Sequence, residues 1–185
     1  MISKSKKTRS HNRMVFLVAV FFILGLVVSF AYQKYQKSKT ATTPLAPNAI
    51  LSLVSDKEKV SPGEEFTVTM SLDSDDSEVA AADFVVQYNP KYLKVVSVAT
   101  GKFFNNYPIN ITGSDHVRIS GVASFDGNTL VLPKGSETVG YITFSALGNK
   151  GRAVINIDKI KTVVATSGQD ILDRKNIKKI DVSVI

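Results

Sequence analysis

Ala82–Val98 reads ADFVVQYNPKYLKVVSV, two apolar runs separated by Tyr88-Asn89-Pro90. Proline has no N–H to give a sheet ladder, and it drives the residue before it towards extended or turn geometry. Asn89-Pro90 is therefore predicted to close one strand and Leu93 to open the next. Successive side chains on a strand face opposite ways. That alternation puts Ala82, Phe84, Val86 and Tyr88 inward, and Asp83, Val85 and Gln87 outward.

The same period of two runs through residues 49–185. Phe66–Leu72 alternates without a fault, as do Ile142–Ala146, Ala153–Ile157 and Ile180–Val184. Ile50–Val54, Val117–Val122 and Leu130–Leu132 are further short runs of strand character. Turn-forming clusters separate them, among them Ser61-Pro62-Gly63, Asp126-Gly127-Asn128, Pro133-Lys134-Gly135 and Gly148-Asn149-Lys150-Gly151. No helical period longer than one or two turns follows residue 40. Many short strands, each with one apolar face, predict an all-β sandwich of two packed sheets.

Ahead of this domain, Met14–Ala31 reads MVFLVAVFFILGLVVSFA, 18 residues without a charge. As a helix it would span roughly 27 Å, close to the hydrocarbon thickness of a bilayer. It is read as a single N-terminal transmembrane helix (14–31) behind a basic cytoplasmic segment (1–13). Five basic residues precede it and three follow, so positive-inside bias leaves the C-terminal part outside the cell membrane. The rival reading is a signal peptide, cleaved after Ala31 at Ser29-Phe30-Ala31, which would release a secreted domain. Both readings export the domain. Residues 32–48, with two prolines and no apolar period, are read as a linker.

The net charge of +7 suggests a nucleic-acid partner until it is located. Eight of the 23 Lys and Arg lie in residues 1–39, which hold no Asp or Glu; residues 40–185 therefore carry 15 basic and 16 acidic side chains. The folded part lacks the basic footprint of a nucleic-acid binder. Cysteine is absent, which excludes disulfides, thiolate nucleophiles and thiolate zinc sites.

The opening stretch resembles the cohesin family, whose signature D-F-x-x-x-Y-[DN]-P-x-x-L-x-x-x-x-V is matched here by Asp83, Phe84, Tyr88, Asn89, Pro90, Leu93 and Val98. Ser61–Val68 (SPGEEFTV) and Gly140–Phe144 (GYITF) are similar, in the same order, to two further family motifs, so the resemblance covers about residues 50–185. It implies a jelly-roll sandwich of about nine strands. It also implies that one outer sheet face binds a dockerin-type protein, which holds the calcium; Asp83 matches a cohesin aspartate on that face, and alternation adds Val85 and Gln87 to it. Ala81 stands where cohesins often carry a polar contact residue, and Asn89 replaces the commoner aspartate.

Other candidates have competing readings. Asp73, Asp75, Asp76 and Glu78 offer hard oxygen ligands for calcium, or form a solvated acidic loop. Phe103, Phe104 and Tyr107 are candidates for stacking on sugar rings, or plug the end of the sandwich. The basic stretch Arg174–Lys179 suits an anionic envelope polymer or a solvated turn. His116, the sole histidine after residue 11, stands beside Asp115, but neighbours on a strand face opposite ways, and no nucleophile elbow or His-x-x-x-His pair accompanies them. An enzyme is not expected. The sequence points to a membrane-anchored binding module for a protein partner, with a polysaccharide-binding module or a structural subunit of a surface assembly as alternatives.

Overall fold

The computed structural model describes residues 45–185, together with Gly25, Val28 and Ser29. The expected cytoplasmic segment 1–13, the cleavage point after Ala31 and most of the transmembrane run 14–31 and linker 32–48 lie outside the described residues. Leu45–Ile185 forms a compact unit with its own core.

All of its regular structure is strand. In chain order the strands are β1 (Ile50–Ser55), β2 (Lys59–Val60), β3 (Glu65–Asp73), β4 (Ala81–Tyr88), β5 (Leu93–Thr100), β6 (Asn106–Thr112), β7 (His116–Val122), β8 (Ser124–Asp126), β9 (Thr129–Val131), β10 (Ser136–Ala146), β11 (Gly151–Ile157), β12 (Val163–Thr166), β13 (Gln169–Asp170) and β14 (Ile180–Val184). One sheet runs β1-β3-β10-β5. In the other, β4 is flanked by β7 on one edge and by both β11 and β12 on the opposite edge; β6 extends it beyond β7, and β14 and β2 extend it beyond β11. Four of the fourteen segments, β2, β8, β9 and β13, have only two or three residues, and β11 and β12 are successive halves of one path along β4. The fourteen strands exceed the nine or so expected, and these short segments and the divided path account for the excess.

The opening motif folds as its sequence requires. β4 ends at Tyr88; the Asn89 side chain then accepts the Lys91 N–H, and the Asn89 carbonyl accepts from Tyr92 and Leu93. This Asx-type turn needs an Asn or Asp at its first position, so asparagine here serves as aspartate would. Leu93 re-enters the core at 1% exposure. Tyr88 packs edge-on against Phe144 of the facing sheet, with centroids 5.3 Å apart, and its hydroxyl donates to the Gly113 carbonyl at 3.1 Å. Burial pushes the Tyr88 phenol up, with Asp115 adding to the shift.

Among strands of four or more residues, two went unseen in the sequence. β6 contains Pro108 and lies at a sheet edge, paired only with β7, with a register slip between Asn106 and Ile109. An edge with a bulge is where a sheet tolerates proline. β12 has only four residues, and its hairpin to β13 turns through Ser167 and Gly168, both at positive φ.

Candidate docking face

The outer face around β4 is built from alternate residues of three neighbouring paths. Asp83 lies opposite Ser120 on β7, Val85 opposite Arg118, and Gln87 opposite His116. Arg118 reaches diagonally to Asp83, as long side chains on adjacent strands do. Its Nε lies 2.9 and 3.0 Å from the two carboxylate oxygens and its Nη2 donates at 2.6 Å, while Ser120 Oγ donates to the same carboxylate at 2.8 Å. The hydrogen bonds and charge of Asp83 hold the Arg118 guanidinium more firmly protonated than usual. Both side chains remain partly exposed. Solvent screening limits what such a pair adds to stability, so its main consequence is a fixed orientation for both groups.

Between β11 and β12 the chain leaves the ladder as a loop, Asp158–Thr162, lying against β4. Asp158 organises it. Its Oδ1 accepts the N–H groups of Ile160 and Lys161, its carbonyl accepts from Thr162, and its Oδ2 accepts from Gln87 Nε2 at 2.9 Å and lies 3.6 Å from Lys161 Nζ. Burial alone would raise the Asp158 carboxyl, but these N–H donors and the Lys161 ammonium outweigh it and hold it below the usual carboxylate range.

This loop corrects one expectation. Val85 was expected outward as a contact residue, yet it is 4% exposed while standing apart from the core cluster. Its N–H donates to Thr162 Oγ1, its carbonyl accepts from Asp158, and its side chain lines a depression with Asp83, His116, Arg118 and Lys161. Alternation gave the direction of the side chain; the loop over it is tertiary, and no local pattern announces it. Asp83 and Gln87 do sit on the outer face, both engaged by neighbours.

The other candidates fall elsewhere. Phe103 and Phe104 are 4% and 2% exposed, packed edge-to-face at 5.0 Å, and Tyr107 stands perpendicular to Phe104 at 5.8 Å. The Tyr107 hydroxyl accepts the Phe104 N–H, and burial pushes its phenol up. A Cβ on Gly121 would lie 2.1 Å from the Phe104 ring, so glycine is what lets the ring seat there. Buried in this way, Phe103 and Phe104 provide no sugar-stacking platform.

Asp73, Asp75, Asp76 and Glu78 do not converge. Asp73 Oδ1 accepts the Asp75 N–H, and no group of three or more His, Asp or Glu among the described residues is placed to hold a metal ion. Asp115 precedes β7 rather than lying in it, which lets its carboxylate meet His116 Nδ1 at 2.8 Å despite their adjacency; that contact lowers the Asp115 carboxyl. In the basic stretch, Arg174 binds the Asp170 carboxylate and the carbonyls of Lys159 and Thr162. It ties the loop down from beneath.

The sequence reading missed Arg118, Ser120, Asp158 and Lys161. The alternation of β7 was a sufficient signal for the first two; the last two depend on how β11 and β12 share one edge of β4.

This two-sheet sandwich thus has its outer face held in place by ion pairs and side-chain hydrogen bonds. Its family follows from comparison: the cohesin domain model matches residues 51–184, and the chain belongs to that family of non-catalytic protein–protein interaction modules. No curated protein sequence matches it. Among solved structures it is similar to the third cohesin of ScaC from Acetivibrio cellulolyticus, solved in complex with the ScaB dockerin, with a TM-score of 0.61 at 14% identity over 75% of this chain and 99% of that one. It is also similar to CaCohA2 from Clostridium acetobutylicum, with a TM-score of 0.60 at 15% identity over 73% and 90%. A non-cellulosomal cohesin from the archaeon Archaeoglobus fulgidus follows, with a TM-score of 0.53 at 12% identity over 75% and 91%. At identities of 12–15% the structural likeness establishes the fold alone.

Proposed function

We propose that this domain is an exported docking module that captures a dockerin-type protein on the outer face of β4, β7, β11 and β12. The observation that carries the reading is the preorganised array of Asp83, Arg118, Ser120, Gln87 and Asp158 on that face. Fixing polar side chains before contact lowers the entropy lost on binding. Membership of the cohesin family supports it, as do structural neighbours solved as complexes with dockerins. Calcium would enter with the partner. The apolar run 14–31 would hold the complex at the outer surface of the cell membrane.

The test is capture by immobilised residues 45–185 from lysate and secreted fractions of the source cells, with calcium and with chelator. A protein bearing duplicated Asp/Asn-rich loops, retained only with calcium, is expected. If calcium makes no difference to what is retained, the dockerin reading fails.

A further inference from the structure

Ile160 is 90% exposed, the most exposed large apolar residue described in this domain. An exposed isoleucine on a floppy loop carries little meaning, but this loop is not loosely held. Besides the Asp158 bonds, Lys159 Nζ donates to the Arg174 carbonyl and Arg174 Nε donates to the Lys159 carbonyl, both at 2.7 Å. Ile160 is thus presented from a braced backbone, the condition under which an apolar side chain makes an effective anchor.

Beside it runs a groove lined by Gln87, Asn156, Ile157, Asp158, Lys159, Ile160, Ile177 and Lys179. Its floor is apolar, with Ile157 and Ile177 at 3% and 7% exposure. The charge on its rim is unbalanced. The carboxylates around this face are each committed within the domain: Asp83 to Arg118, Asp158 to Lys161, Asp170 to Arg174 and Asp181 to Arg152. Lys159 and Lys179 enter no ion pair among the described residues.

We propose that this groove receives an acidic protein segment, its carboxylate between Lys159 and Lys179 and an adjacent apolar side chain against Ile160. The proposal rests on reading this sheet as a docking face, and it names the chemistry of what docks there. Charge complementarity decides for an acidic occupant, and the apolar floor with its projecting isoleucine decides for a protein segment over a purely anionic polymer.

The probe is a phage-displayed random peptide library selected on immobilised residues 45–185. Selected peptides are expected to place Asp or Glu within a residue or two of Leu, Ile, Val or Phe. By fluorescence polarisation, I160S and K179E should each weaken the best peptide by about tenfold, with affinity falling as salt rises, while the remote K134E leaves it unchanged. Both sites are exposed, so neither change threatens folding. The proposal is overturned if no peptide is enriched, or if the selected peptides bind both variants as tightly as the parent. It is also overturned if inorganic polyphosphate competes with the peptide and I160S has no effect, since charge alone would then explain binding. No dockerin enters this assay, so its failure leaves the calcium-dependent capture experiment to stand or fall by itself.

Discussion

Replacing Phe104 by alanine separates a structural aromatic from a ligand-binding one. Phe104 is 2% exposed and lies between Phe103 and Tyr107, with its ring on the backbone of Gly121. Removing a ring so enclosed costs about 3–5 kcal/mol. For a domain of this size each kcal/mol moves the melting temperature by about 4 °C, so F104A should melt roughly 12–20 °C lower. G121A presses on the same contact from the other side. Its new methyl would sit 2.1 Å from the ring, an overpacking worth about 1–3 kcal/mol. In the double variant that methyl enters the space the ring vacates, so the combined cost should fall below the sum of the two by about 1 kcal/mol or more. Urea unfolding of residues 45–185 followed by far-ultraviolet circular dichroism measures all three. A cost below about 1 kcal/mol for F104A, or strict additivity in the double variant, would refute the packing described here.

Tyr107→Phe removes the hydroxyl that accepts the Phe104 N–H; leaving that donor without a partner should cost about 1–2 kcal/mol in the same urea assay, and an unchanged midpoint contradicts the bond. Asp170 bears on acid stability. Burial raises its carboxyl, but the Arg174 guanidinium and the N–H groups of Leu172 and Val164 outweigh this and lower it. A lowered folded value means the stabilisation is complete above the ordinary carboxylate pKa of about 4 and is lost as pH falls through the folded value. D170N should therefore lower the urea midpoint at neutral pH and shallow its decline on the acid side; a parallel curve would show that Asp170 contributes nothing to that decline. For the N-terminal run, full-length protein should sediment with membranes and need detergent for release, whereas residues 45–185 stay in solution. Recovery in solution of a product beginning at Tyr32 would show a cleaved signal instead of an anchor.

The opening stretch made the sandwich legible because proline and alternation act locally. Asn89-Pro90 ends β4 where expected, and the inward set Ala82, Phe84, Val86 and Tyr88 is buried. β6 was hidden because Pro108 reads as a strand breaker everywhere except at an edge, and nothing local says that β6 has one neighbour. The face was half legible. Asp83 and Gln87 follow from alternation alone, but the burial of Val85 and the arrival of Asp158 and Lys161 depend on a loop that leaves one edge of β4 between two strands paired to it. Such placement is fixed by long-range pairing, which a period of two does not encode. Ile160 was passed over for a related reason: an isoleucine between two lysines in a turn carries no pattern, and its exposure belongs to the braced loop.

The most direct test of the docking face compares calcium-dependent capture by residues 45–185 with capture by an R118E/Q87R variant. Arg118 lies opposite the buried Val85 and Gln87 two residues along β4 from it, both directed outward, so reversing their chemistry alters the face and leaves the core cluster unchanged. A cohesin-type interface on this sheet predicts one calcium-dependent partner held by the parent domain and lost by the variant. The same partner held equally by both would place the interface elsewhere on the molecule.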